Sequence, residues 1–143
     1  NDRSQIMAVA NGEADIAIAN TYYYGLMLSG IAGKDQLNAA KKVKMLFPNQ
    51  DNRGTHVNIS GSGILKYSKN PKNAEIFLEF LLSTDVQKHI VNNTFEYPVI
   101  DKVSPSSFIS QFGTTFIQDQ TPASNFGKYN SEAIKLMDRV GWK

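Results

Sequence analysis

Three consecutive tyrosines, Tyr22, Tyr23 and Tyr24, make up half of the six in this 143-residue chain, and they follow Asn20-Thr21 directly. Side chains at the start of a helix fan out from one rim, so two neighbouring phenol oxygens can converge on one ligand. A deprotonated phenol is a hard anionic donor suited to Fe(III), and tyrosine is an established iron ligand. Free tyrosine loses its proton only near pH 10, so a phenolate at neutral pH needs a cation to hold it. A metal provides that cation, and its capture then releases protons and depends on pH. The first N–H groups of a helix beginning near Tyr22, with the side-chain amide of Asn20 on the same rim, would suit a small anion bound beside the metal. Two tyrosines cannot fill a coordination sphere of about six, so other donors must come from elsewhere, from solvent or from that anion. The plainer reading is an aromatic cluster shielding a strand end. Residue types alone leave both open.

Other chemistry has less support. His56 and His89 are far apart in sequence and lack metal-ligand spacing. The alternation around His56 suggests a half-buried structural role, while the polar neighbours of His89 suggest a solvated one. Ser60-Gly61-Ser62-Gly63 lacks the Gly-x-Ser-x-Gly spacing of a serine nucleophile turn, and no phosphate-cradling glycine loop exists. Asp15, Glu79 and Glu96 show no pairing that sequence can reveal. The tyrosines have no interleaved basic residues, the nearest downstream being Lys34, which argues against nucleic-acid stacking. The chain reads as a binding protein and not as an enzyme.

The elements that must position these residues follow from local signals. Ile6, Val9 and Ala10 share a helical face ahead of Gly12. Asp15 to Ala19 reads as a short strand, and a helix from about Tyr22 to Leu28 follows, with Asn20 or Thr21 as its cap and Gly30 and Gly33 beyond its end. A weaker helix covers Asp35 to Lys42, and Val43 to Pro48 reads as a strand. Asn49 to Gly54 is turn-rich, a linker or hinge. Thr55 to Ser60 alternates as a strand. Asn70-Pro71 opens a helix whose buried stripe would be Ile76, Phe77, Phe80 and Leu81. Thr84 to Gln87 has capping-box spacing and starts a helix to about Asn92. Ser104-Pro105 opens another helix ending near Gly113, and Thr114 to Asn125 reads as irregular. Phe126, Tyr129, Ala133, Leu136 and Val140 mark one face of a last helix. Helix, strand and helix in quick succession point to an α/β layered domain.

Composition agrees with an ordinary globular fold: 41% apolar, 20% charged, net charge +2 and no cysteine. Disulfides and thiolate metal sites are thereby excluded. No run approaches the roughly 18 apolar residues of a membrane span. The abrupt start and the scarcity of strands suggest the second part of something larger.

Taken together, certain segments resemble periplasmic ferric-iron-binding proteins, the substrate-binding components of iron ABC transporters that include the cyanobacterial iron-uptake group. They are Asp15-Ile16-Ala17-Ile18-Ala19-Asn20-Thr21-Tyr22-Tyr23-Tyr24-Gly25, Arg53-Gly54-Thr55-His56-Val57-Asn58-Ile59-Ser60-Gly61, Glu96-Tyr97-Pro98-Val99 and Asp138-Arg139-Val140-Gly141-Trp142. The resemblance implies an α/β, type II periplasmic binding protein fold, of which this chain is the C-terminal part contributing to both lobes. Residues 1–47 would finish the second lobe, 48–54 would cross the hinge, and 55–143 would include the segments returning to the first lobe. It further implies that Tyr22 and Tyr23 ligate Fe(III) in the cleft, that Asn20 contacts a synergistic anion such as carbonate, phosphate or citrate, and that Tyr24 packs. The implied partners are an iron ABC permease and the N-terminal part of the same protein, with no nucleic acid and no membrane span, as a monomer when complete. The implied location is periplasmic. Two alternatives remain: a receptor for another small anion or metal complex on this fold, and an enzyme fragment with its catalytic residues upstream.

Overall fold

The computed structural model describes residues 1–113 and 115–142. Thr114, which heads the segment expected to be irregular, lies outside the described residues. Among the described residues seven helices follow one another: α1 (Asp2–Ala10), α2 (Thr21–Ser29), α3 (Lys34–Ala40), α4 (Pro71–Leu81), α5 (Thr84–Thr94), α6 (Ser107–Ser110) and α7 (Ala123–Arg139). The start and stop signals place them well. Asn70-Pro71 opens α4 with proline in its first turn, and Gly30 closes α2 in the left-handed conformation at φ 80°. The expected helix after Ser104-Pro105 shrinks to the single turn of α6.

Strands are where sequence expectation and structure part. Asp15–Ala19, Val43–Pro48 and Thr55–Ser60 have strand-like composition, yet among the described residues the sole ladder pairing is an isolated parallel bridge between Thr55 and Gln118. A strand needs a neighbour to satisfy its N–H and C=O groups, so composition alone does not make one. Ile16 and Ile18 accordingly stand 84% and 76% exposed.

The chain forms two compact units. The larger comprises residues 1–46 and 58–116. Its principal core joins Ile6 of α1, Tyr24 and Met27 of α2, and Ala39 and Ala40 of α3, with Met7, Leu28, Val43 and Phe112 packed against it. The two alanines have almost no side chain to hold α3 away from α2. Met27 is fully buried, and removing such a side chain from water contributes about 1.5–3 kcal/mol. Val91, Phe95, Val103 and Ile109 are also buried in this unit. Gly25 allows close packing there, because a Cβ at this position would lie 2.8 Å from Phe95 Cβ and 2.9 Å from Ile109 Cδ1.

Of the α4 stripe expected to be buried, Ile76, Phe77 and Phe80 are instead more than half accessible, while Leu81 is half-buried. Helical spacing correctly aligns these residues, but alignment creates an apolar face without supplying a surface to cover it. The expected capping box also does not form. Ser83 precedes α5 without a side-chain cap bond. Gln87 turns away, donating from Nε2 to the Leu81 carbonyl at 2.8 Å and accepting from Val99 N at 3.0 Å.

The smaller unit comprises residues 47–57 and 117–143. Its Asn49–Gly54 turn is ordered by Gly54 N donating to the Asn49 carbonyl at 2.9 Å. Gln50 then acts as a surrogate backbone for Ile117, donating from Nε2 to its carbonyl at 3.0 Å while Oε1 accepts from its N–H at 2.8 Å. Gly54 has φ +89°, and a Cβ there would lie 2.6 Å from the Ile117 carbonyl oxygen. Only glycine fits that turn comfortably.

Candidate metal centre

The site is built on the first turn of α2. Asn20 precedes the helix in an extended conformation, φ −74° and ψ 140°, and makes no side-chain cap bond. Its side chain is engaged elsewhere. Asp2 Oδ2 accepts both from Asn20 N at 2.8 Å and from Asn20 Nδ2 at 2.9 Å. Asn20 Oδ1 accepts from Asn58 Nδ2 at 3.0 Å. The amide expected to face a bound anion is thus held between a carboxylate and a second amide. These bonds to its N–H groups hold the Asp2 carboxyl below the usual carboxylate range, because a charge-assisted acceptor favours the ionised form.

The three tyrosines divide according to the turn of the helix. Tyr22 and Tyr23 are both partly exposed, with ring centroids 4.4 Å apart and planes inclined at 43°. Tyr24 goes inward: its hydroxyl donates to the carbonyls of Val43 at 2.9 Å and Ala40 at 3.1 Å, and its ring lies 5.2 Å from that of Phe112. Successive residues rotate by about 100° around a helix axis, so three adjacent rings cannot share one environment. Tyr24 is the packing member, in line with its expected role.

Tyr22 stays protonated more firmly than a free phenol. The adjacent Tyr23 side chain is the main cause, followed by partial burial and the negative charges of Asp2 and Glu96. Glu96 reaches this neighbourhood through packing. Phe95 caps α5 in the left-handed conformation at φ 61° and seats its ring base against Gly25, with Glu96 next in the chain. Sequence reading singled out neither Asp2 nor Asn58, and it left Glu96 without a partner. Asp2 and Asn58 lie 18 and 38 residues from Asn20, and Glu96 lies 74 residues from Tyr22, beyond any periodic signal.

The histidines offer little. His56 is exposed rather than half-buried, resting edge-on to Phe126 at 5.3 Å between centroids. An unpaired extended segment leaves both its faces open, which is why the expected half-burial is absent. His89 is exposed, as expected, and sits beside Asn93 within its own helix. Among the described residues, no group of three or more His, Cys, Asp or Glu side chains is arranged to hold a metal. The phenol pair Tyr22 and Tyr23 offers hard oxygen atoms of the kind that suit a hard trivalent cation.

Two partly exposed phenols thus stand together on the first turn of a helix in an α-rich scaffold. Over residues 1–115 the chain matches the bacterial extracellular solute-binding protein family, and it belongs to that family. Iron uptake protein A1 of Synechocystis is 42% identical across all of this chain, which covers 39% of that protein. A Trichodesmium protein solved in complex with iron and citrate is 49% identical with a TM-score of 0.91, the match covering 100% of this chain and 45% of that one. The ferric binding protein from Campylobacter jejuni is 40% identical with a TM-score of 0.88 over 100% of this chain and 45% of the other. The chain thus spans about two fifths of the curated relatives' length, and its fold is that of the corresponding part of these ferric-binding proteins. Among the described residues no helix is long and apolar enough to cross a membrane.

Proposed function

We propose that this chain is the tyrosine-bearing part of an extracytoplasmic receptor that captures ferric iron and hands it to an ABC permease. The observation that carries the reading is the phenol pair: Tyr22 and Tyr23 lie side by side at the mouth of α2, partly open to solvent, with rings 4.4 Å apart. Core packing explains Tyr24 and leaves these two unexplained. The similar proteins agree in kind, being iron-uptake and ferric-binding proteins.

In this proposal Fe(III) is the cargo. Each phenol surrenders its proton as the metal arrives, and the two phenolates offset two of its three positive charges. The remaining ligands come from the rest of the two-lobed type II receptor and from an anion or water. Residues 1–47 complete the second lobe, 48–54 make the hinge crossover, and 55–143 include the segments that return to the first lobe. Closure of the lobes around the metal is the signal the permease reads.

The test is a titration of the full-length protein with Fe(III), with and without carbonate, phosphate or citrate. A visible tyrosinate-to-iron charge-transfer band should grow to one equivalent and vanish in the Tyr22→Phe/Tyr23→Phe variant. A colourless complex whose affinity survives both substitutions would sink the reading.

A further inference from the structure

We propose that Asp2 is a positioning residue for the phenol pair, acting through Asn20 to fix the direction in which Tyr22 and Tyr23 leave α2. The proposal rests on the reading of those phenols as iron ligands.

One oxygen of Asp2 receives two N–H groups of a single residue, the backbone N of Asn20 at 2.8 Å and its Nδ2 at 2.9 Å. Two such bonds define both the entry of the backbone into the helix and the rotamer of the Asn20 side chain. Asn58 closes the remaining freedom by donating to Asn20 Oδ1 at 3.0 Å, which prevents the amide from turning over. The result is a chain Asp2–Asn20–Asn58 joining three separate segments of the larger unit. Because Asn20 is the residue before the first turn of α2, whatever fixes it fixes the two rings that emerge two and three positions later.

An acceptor that is ionised makes these bonds shorter and stronger than a neutral one would. That favours Asp over Asn at position 2. Asp2 touches Asn20 and not the phenol oxygens, so its effect on metal binding is indirect.

The experiment uses the full-length protein carrying Asp2→Ala or Asp2→Asn, with Tyr22→Phe/Tyr23→Phe as reference. Asp2→Ala should weaken Fe(III) binding roughly ten- to a hundredfold, the usual cost of removing a group that orients a metal ligand, and should shift the charge-transfer band. Formate at millimolar concentrations should restore part of both by occupying the vacated acceptor position, while chloride should not. Asp2→Asn, which keeps shape and an acceptor oxygen, should fall between. Should Asp2→Ala not fold, a displaced band in well-folded Asp2→Asn supports the proposal and an unmoved one overturns it. Wild-type affinity and band in Asp2→Ala, or a loss that formate leaves untouched, also overturn it. An iron-free readout separates this from the iron reading. In ¹H NMR the Tyr22–Tyr23 ring cross-peaks should weaken in Asp2→Ala whether or not the protein takes up iron, and unchanged cross-peaks overturn the positioning role alone.

Discussion

Tyr22 and Tyr23 are adjacent in a helix yet keep their ring centroids 4.4 Å apart at a 43° tilt. In the proposed site each phenol gives up its proton to the arriving metal. Metal capture is therefore coupled to proton release.

Fe(III) affinity should rise with pH. The Tyr22 phenol is held above its ordinary value near 10, first by Tyr23 and then by burial and neighbouring negative charge. Each tyrosinate formed on the metal releases a proton, so the affinity should climb up to about a hundredfold per pH unit with two ligands. Chelator competition across pH 6 to 8, with proton release followed by an indicator dye, measures the slope. A flat profile would argue against phenolate ligands.

Tyr24→Phe should separate packing from binding. It removes the hydroxyl that donates to the Ala40 and Val43 carbonyls, leaving buried acceptors short of a partner at a cost of about 1–2 kcal/mol. Urea denaturation should show that loss while the iron charge-transfer band keeps its position and intensity.

Gly25→Ala should destabilise the fold even though alanine is the better helix former by about 1 kcal/mol. The new methyl would lie 2.8 Å from Phe95 Cβ and 2.9 Å from Ile109 Cδ1, and Phe95 Cβ is anchored to backbone that cannot simply rotate aside. Overpacking of this kind costs about 1–3 kcal/mol, so the denaturation midpoint should fall. Since Glu96 follows Phe95, the same variant should also alter the Tyr22 environment, visible as a change in its ring chemical shifts.

Acid should loosen the first turn of α2. The folded pKa of Asp2 is depressed, chiefly by the Asn20 backbone N–H, so its stabilising contribution is present above the ordinary carboxylate pKa and is lost as pH falls through the lower folded value. Between pH 5 and pH 2 the wild type should lose more stability than Asp2→Asn, whose side chain does not titrate. Equal acid sensitivity of the two proteins in urea titrations would contradict this.

Much of the helical layout was legible because helices announce themselves locally. Asn70-Pro71 and Gly30 mark ends through backbone geometry, and the spacing of Ile76, Phe77 and Phe80 gives the period of α4. The same periodicity misled about burial, because it says which residues face one way and nothing about what meets them. Strand-like alternation at Thr55–Ser60 misled similarly. A ladder is a property of two segments, and here only Thr55 finds a partner, Gln118.

From the amino-acid order by itself came the chemistry on offer: neighbouring phenols at a helix start, the absence of thiols, and the asparagine ahead of them. Tertiary structure decided which tyrosines face outward, that Asn20 is held by Asp2 and Asn58, and that the Glu96 charge is felt at Tyr22, Phe95 beside it being packed against Gly25. The physical reason is range. Helix starts, caps and turns are governed by residues within four or five positions, whereas these contacts join residues from 18 to 74 positions apart, whose meeting depends on how whole helices pack.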